Sequence, residues 1–223
     1  MSFIDSVSTI AEAVLKSGGE KEPEEHAQCN DWLGREFDPI LNRFVLDVIG
    51  VVRSSLHLPA TIHVESMPMR LMRAILGHLL AAKADFEEVE FDCTVREFIF
   101  NTKMPVPAGL FVFYWIHPYS TQVVLRDIAM PQRRGDFSDV MLCQLLKFFP
   151  IAFMVSTAPA YEGLLDLTSY RSAAMDDCVP VTIRMDQVRA QDWPEAPTRD
   201  NYVFGGQSLQ SSLISRPRPP KGR

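Results

Sequence analysis

No two cysteines in this chain lie close enough to form a Cys-x-x-Cys pair: Cys29, Cys93, Cys143 and Cys178 are far apart. That spacing argues against a zinc site or a structural disulfide and reads as reduced, mostly buried thiols of a cytoplasmic protein. No apolar run reaches the roughly 18–20 residues of a membrane span. The N-terminus lacks the basic start, apolar stretch and small-residue cleavage site of a secretory leader. No basic stripe of the kind that tracks nucleic acid is present. His57, His63 and His78 have no metal-ligand spacing. A P-loop, a dinucleotide Gly-x-Gly-x-x-Gly and a Gly-x-Ser-x-Gly elbow are all missing. Arg134-Gly135-Asp136 spells an adhesion tripeptide, which carries no weight in a chain without a leader. The expected setting is cytoplasmic, with neither membrane nor nucleic acid as partner.

What is present is an ordinary globular composition: 223 residues, 47% hydrophobic and 22% charged. The acidity is local. Residues 1–50 carry ten acids against four bases, a net of −6, while residues 51–223 carry eighteen of each. Three parts are expected: an N-terminal helical extension with an acidic linker (1–56), an α/β domain (57–190) and a mostly irregular C-terminal tail (191–223).

Phe3, Ile4, Val7, Ile10, Ala11, Val14 and Leu15 recur at helical spacing, so residues 2–16 form an amphipathic helix that ends at Gly18-Gly19. Such a helix packs on its own domain or mediates self-association or partner binding. A second helix spans about Asp38–Leu56, with Pro39 in its first turn. A strand is expected at Thr61–Glu65, then a helix capped by Ser66, with Pro68 in its first turn, continuing to Lys83. Val89, Phe91, Cys93 and Val95 alternate with polar residues and predict a half-buried strand. Gly109–Ile116 predicts a strand covered on both faces, joined through His117-Pro-Tyr-Ser120 to Thr121–Met130 as an antiparallel hairpin. Beyond these, a helix is expected at 138–148, a strand at Ile151–Thr157, a helix at about Ala160–Ser169 and a strand around Val179–Met185. The class is α+β: a three-layer α/β arrangement of a mixed, largely antiparallel sheet flanked by helices, with an N-terminal helical extension.

The segment Ile128-Ala-Met-Pro-Gln-Arg-Arg-Gly-Asp-Phe-Ser138 bears most on chemistry. A strand entering a helix through a glycine-containing turn points unpaired N–H groups at one spot. The helix dipole favours an anion there, such as a phosphate or pyrophosphate.

The element order and this segment resemble the GNAT superfamily of acyl-CoA-dependent N-acetyltransferases. In that family the core pattern is Gln/Arg-x-x-Gly-x-Gly/Ala, whose amides hold the cofactor's pyrophosphate. Gln132-Arg133-Arg134-Gly135-Asp136-Phe137 matches its first four positions, and Pro131 keeps the family's spacing. The resemblance spans roughly residues 60–185 in element order and about ten residues in motif. It implies an acetyl-CoA site made by Ile128, Met130, Gln132, Arg133, Arg134, Gly135, Asp136, Phe137 and Ser138, with Ile128-Ala129-Met130 beside the pantetheine arm. Phe137 stands where the family has a small residue, Asp136 adds a negative charge, and Leu165 occupies the position of the family's general-acid tyrosine, with Tyr161 a turn too early.

Acetyl transfer to an amine needs a base. Glu90 and Asp92, two apart on the expected strand, and His117 at the hairpin are the candidates, with Ser156 and Thr157 at a strand end as further polar groups. Two functions follow. One is an acyltransferase moving acetyl from acetyl-CoA to a small-molecule or protein amine. The other is a catalytically inactive protein on the same scaffold, structural or partner-binding, as in a virion or assembly component.

Overall fold

The computed structural model describes residues 31–54, 57–82, 89–119, 122–133, 136–159, 164–185, 202–204 and 213–215. The expected helix at 2–16, the acidic linker and Tyr161 lie outside the described residues. After a helical turn at 31–36, the order is α1 (Asp38–Ser54), β1 (Thr61–Ser66), α2 (Pro68–Ala81), α3 (Glu90–Phe100), β2 (Phe111–Ile116), β3 (Val123–Arg133), β4 (Asp136–Phe148), β5 (Ile151–Ser156), β6 (Leu165–Asp166), a 3-10 turn at Leu167–Tyr170, β7 (Val179–Arg184), β8 (Tyr202–Phe204) and β9 (Leu213–Ser215). The architecture is α+β with antiparallel sheets.

In α1, Leu41, Phe44, Val45 and Val48 are buried at the i, i+3, i+4, i+7 spacing of one helix face. α2 is buried nearly all round, through Met69, Leu71, Met72, Ala74, Ile75, Leu76 and Leu79, and is the central helix. Its N-cap is Met67 rather than Ser66. Ser66 ends β1 instead, and Pro68 at the first helical position leaves one fewer N–H to satisfy.

Five strands form the main sheet in the order β3-β4-β5-β2-β6, while β1 pairs with β7 and β8 with β9 in separate two-stranded sheets. Residues directly opposite in an antiparallel ladder share a face. Val112, Tyr114, Ile116, Leu146, Phe148, Ile151, Phe153 and Val155 therefore form one face of the five-stranded sheet. They join α1, α2, α3 and the inner side of the β1–β7 ribbon in the larger core. Phe113, Trp115, Val123, Leu125, Cys143, Leu145, Ala152 and Met154 form the opposite face and a second, smaller core. The Tyr114 hydroxyl donates to the Thr182 carbonyl at 2.6 Å and ties the main sheet to the β1–β7 ribbon.

Several expectations are corrected. Residues 90–100 are a helix, not a half-buried strand. Phe91, Val95, Phe98 and Ile99 follow a helical period, but Asp92 is buried among them, and counting it as a surface residue produced a false alternation. Residues 138–148 belong to a strand. The stretch Val140–Phe148, apolar except for Gln144 and Lys147, fits a buried helix or a strand covered on both faces, and over residues 143–148 β4 is the latter, with Cys143 and Leu145 on one side and Leu146 and Phe148 on the other. β2 pairs with β5 and β6, so the expected hairpin with residues 121–130 does not form; β3 pairs with β4 instead. In place of a helix at 160–169 the described residues 164–169 hold the two-residue β6 and the start of the 3-10 turn. The C-terminal region, expected to be mostly irregular, holds the short β8–β9 pair among its described residues.

Candidate functional site

The expected phosphate-type turn is a β-hairpin. Arg133 lies opposite Asp136, Pro131 opposite Val140, Met130 opposite Met141 and Ile128 opposite Cys143. Arg134 and Gly135, between the paired residues, lie outside the described residues. Of the expected cofactor contacts, Ile128, Met130, Gln132 and Arg133 are therefore on β3, and Asp136, Phe137 and Ser138 are on β4. No helix begins here, so no helix dipole supports an anion at Ser138. Strand N–H groups point alternately to opposite edges rather than to one spot. β4 also stands between β3 and β5, the two strands whose divergence would open an acyl-CoA cleft.

Two of the three candidate bases share the first turn of α3, and the third lies past the end of β2. Glu90 is exposed in the first turn of α3, and its carbonyl accepts from the Thr94 hydroxyl at 3.0 Å. Asp92, fully buried in that same turn, has its carboxylate engaged twice. Oδ2 accepts the Val89 N–H at 3.3 Å, which satisfies one of the helix's leading donors, and Oδ1 accepts from the Arg126 guanidinium. His117 is buried just past β2, with its N–H on the Pro150 carbonyl at 2.7 Å and its ring edge-on to Tyr119. Arg126 follows Leu125, which stands in the row Leu125–Leu145–Met154–Phe113. From that row to His117 is four residues along the strand and three strands across, on the order of 15–20 Å. Asp92 and His117 therefore do not share a reaction centre.

Ser156 is a strand-end turn: its hydroxyl donates to the Ala158 carbonyl at 2.8 Å and accepts the Ala158 N–H at 3.1 Å. Thr157 next to it is exposed. Leu165 pairs with Tyr114 in β6. Among the described residues, no group of three His, Cys, Asp or Glu side chains is placed to hold a metal.

Two arginines that the sequence reading passed over carry the dense polar chemistry. Arg126 is 4% exposed and reaches from β3 across to α2 and α3, donating to the Leu79 carbonyl at 2.9 Å as well as to Asp92. A bulge aims it there. The β3–β4 register shifts between Leu125 and Ile128, and Asp127 has φ of 56°, a left-handed conformation that Asp tolerates better than most residues.

Arg73, fully buried on α2, donates to the carbonyls of Phe98 at 3.0 Å, Met69 at 3.1 Å, Asn101 at 3.3 Å and Met104 at 3.2 Å, with its guanidinium 3.9 Å from the Phe98 ring centroid. It holds the carbonyls that α3 leaves unpaired at its C-terminal end. Burial, and secondarily the charge of Arg70, lowers its pKa to about 10, so it stays cationic at neutral pH. Both arginines are clamps between elements and not openings to substrate. The signal available in the sequence was an arginine inside an apolar run, at Val123-Val-Leu-Arg126 and at Leu71-Met-Arg73-Ala-Ile.

The feature that stands apart from the packed body is the far end of the β3–β4 ribbon. β4 pairs with β5 only over Cys143–Phe148. Residues 136–142 continue with β3 as their sole ladder partner among the described residues. Leu142, where the ribbon leaves the sheet, is 57% exposed. β8 lies against β3. No helix among the described residues is long and apolar enough to cross a membrane.

Comparison with known proteins yields no matching family model, no matching curated protein and no matching solved structure.

Proposed function

We propose that this chain is a non-catalytic partner-binding protein whose contact element is the β3–β4 ribbon. The observation that carries the reading is the extension of the ribbon beyond the sheet. Seven residues of β4 rise about 3.3 Å each, so the extension runs about 23 Å past the last pair with β5. A two-stranded ribbon is marginal in water by itself and gains stability when a further surface packs on it. An exposed leucine at its base suits a protein partner. Arg133 and Arg134 are balanced by Asp136 and Asp139, so the ribbon has no charge bias toward a polyanion.

The competing reading is an acetyl-CoA-dependent N-acetyltransferase, supported by the Gln132–Gly135 sequence pattern. One pair of experiments separates them. Calorimetry of the full chain with acetyl-CoA and with CoA is expected to show no saturable heat up to millimolar ligand. A photo-cross-linking amino acid at Leu142, in the chain produced in its own host, is expected to join one defined protein. Saturable acetyl-CoA binding with transfer to an amine, or the absence of any adduct at Leu142, overturns the reading.

A further inference from the structure

The β1–β7 ribbon has two backbone edges, and the chain treats them differently. Ala60 and Met185 stand one step beyond the pair Thr61–Arg184, and the Met185 N–H donates to the Ala60 carbonyl at 2.9 Å. Hydrogen-bonded and non-bonded pairs alternate along an antiparallel ladder. Ile62–Ile183, Val64–Val181 and Ser66–Val179 therefore turn their amides and carbonyls inward, across the ribbon. The backbone groups of Thr61, His63 and Glu65 point out along the β1 edge, and those of Pro180, Thr182 and Arg184 along the β7 edge. The β7 edge is closed. Pro180 has no N–H, its carbonyl accepts the Tyr170 hydroxyl at 3.2 Å, and the Thr182 carbonyl accepts the Tyr114 hydroxyl at 2.6 Å.

The β1 edge has none of these devices. Thr61–Ser66 contains no proline or lysine, pairs with β7 without a bulge, and has no further strand beside it among the described residues. Nor does any described residue hydrogen-bond the outward backbone groups of Thr61, His63 and Glu65. Burial agrees: Ile62 and Val64 keep 7% and 5% exposure, whereas Ile183 and Val181 opposite them are at 0%. We propose that this edge pairs with the same edge of a second copy of the chain, antiparallel about a two-fold axis at Val64. The result is a continuous four-stranded sheet in the order β7-β1-β1-β7.

The strand's own sequence selects both the occupant and the register. Outward residues must face outward residues, so the axis falls on a residue of the strand. An axis at Glu65 sets two carboxylates against each other, and one at His63 opposes two imidazoles. An axis at Ile62 spends part of the ladder on Pro59, which has no N–H. An axis at Val64 sets His63 opposite Glu65 of the second copy, and Glu65 opposite its His63, two complementary pairs on the exposed face. On the inner face it brings the two Val64 side chains together in the closer, non-bonded type of pair. The Thr182 hydroxyl lies 3.2 Å from His63 Nδ1, which leaves Nε2 to meet the carboxylate. The Met67 carbonyl already accepts the Arg70 and Leu71 amides, so the ladder ends with the two His63–Glu65 pairs, each exchanging two backbone bonds. One short strand is a small interface, so association should be micromolar rather than nanomolar. β1 and the β3–β4 ribbon belong to different sheets, so this pairing stands apart from the partner-binding reading.

Sedimentation velocity of the full chain, from low micromolar to several hundred micromolar, is expected to show a reversible monomer–dimer equilibrium. Glu65→Pro removes an N–H that has no partner within the ribbon, and should weaken the dimer by at least about tenfold while circular dichroism shows the fold retained. His63→Glu should weaken it as well, by facing two carboxylates, and His63→Glu combined with Glu65→Lys should restore it. Cross-linking reads the register without relying on those variants. In chains carrying Cys29→Ser, Cys93→Ser and Cys178→Ser, an oxidised mixture of His63→Cys and Glu65→Cys is expected to give a disulfide-linked dimer. Either chain alone should not, because like positions lie diagonally apart, beyond disulfide reach. A chain that stays monomeric at several hundred micromolar overturns the proposal and assigns the edge to a strand of some other protein. So does a dimer insensitive to both Glu65→Pro and His63→Glu, or one whose mixed cysteine chains do not link.

Discussion

Asp92 and Arg126 form a buried ion pair whose removal one side at a time should be among the most damaging changes in the chain. Their side chains are 1% and 3% exposed, and each is held by a backbone partner, Val89 for the carboxylate and Leu79 for the guanidinium. Asp92→Ala leaves the Arg126 guanidinium in the core with only the more distant Asp127 carboxylate, at 3.9 Å, to balance it. Breaking a buried pair this way costs about 3–5 kcal/mol, against a total stability of roughly 5–15 kcal/mol for a protein domain. With a urea dependence of about 2–3 kcal/mol per molar, the unfolding midpoint should fall by about 1–2.5 M. Asp92→Leu combined with Arg126→Met should recover most of the loss and finish within about 1–2 kcal/mol of the unaltered chain. Two apolar groups of similar size replace a pair whose attraction mainly offsets its desolvation, and the residual cost is the Leu79 carbonyl left without its donor. Urea titration followed by circular dichroism reads all three chains. A single-variant loss below about 1 kcal/mol, or a double variant as unstable as the two singles added together, would refute the reasoning.

The remaining predictions concern other parts of the same body. Arg73→Met should destabilise by about 2–4 kcal/mol, because the guanidinium's bonds to the Phe98, Asn101 and Met104 carbonyls at the end of α3, and to Met69 on α2, are lost; Arg73→Lys should not restore it, since an ammonium lacks the planar fork, and thermal melting compares the two. Tyr114→Phe removes the hydroxyl bond to Thr182 and should cost about 1–2 kcal/mol. Burial also raises the Tyr114 pKa above its ordinary value, so an ultraviolet titration should find this phenol un-ionised when an exposed tyrosine has already titrated. Gly50→Ala, inside α1 with nothing within 4 Å of the added carbon, should stabilise by about 0.5–1 kcal/mol. Gly109→Ala should destabilise by about 1 kcal/mol or more, because Gly109 has φ of 77°. Equal and opposite shifts in melting temperature would distinguish them, and a gain at Gly109 would contradict the backbone argument.

Much of the fold was legible wherever one periodicity was unambiguous. Asp38–Ser54, Thr61–Ser66, Pro68–Ala81, Phe111–Ile116, Ile151–Ser156 and Val179–Arg184 all lie where the apolar spacing and the proline positions placed them. Two of the misread elements have a common physical origin. At 90–100 a buried aspartate was counted as a surface residue, although it is inside because Arg126 meets it from another strand 34 residues away. At 143–148 the strand is covered on both sides, and a stretch with no solvent face has no periodicity that separates helix from strand. Both errors concern residues whose environment is made by distant chain. Strand pairing was misread for the same reason. A short loop after β2 suggested a local hairpin, whereas β2 prefers β5 and β6, where Tyr114, Phe113 and their neighbours are buried from both faces.

The candidate site was less legible than the fold, and the reason bears on what the chain does. A turn read as strand-to-helix is an anion site because helix N–H groups converge; the same residues on a hairpin present donors that diverge. One secondary-structure assignment, helix or strand at 138–148, therefore changes the segment from a cradle for phosphate into a ribbon with two backbone edges. Three of the charged residues inside the body, Asp92, Arg126 and Arg73, direct hydrogen bonds to carbonyls, an amide and each other. They fix how α2, α3 and β3 meet. Leu142, where the ribbon leaves the sheet, is by contrast 57% exposed. If binding is what this chain does, substitutions at the internal arginines should appear as lost stability at unchanged affinity per folded molecule. Leu142→Glu should do the reverse, leaving the melting temperature within a few degrees while abolishing capture of the partner. A Leu142→Glu chain that still captures its partner would place the contact elsewhere on the molecule.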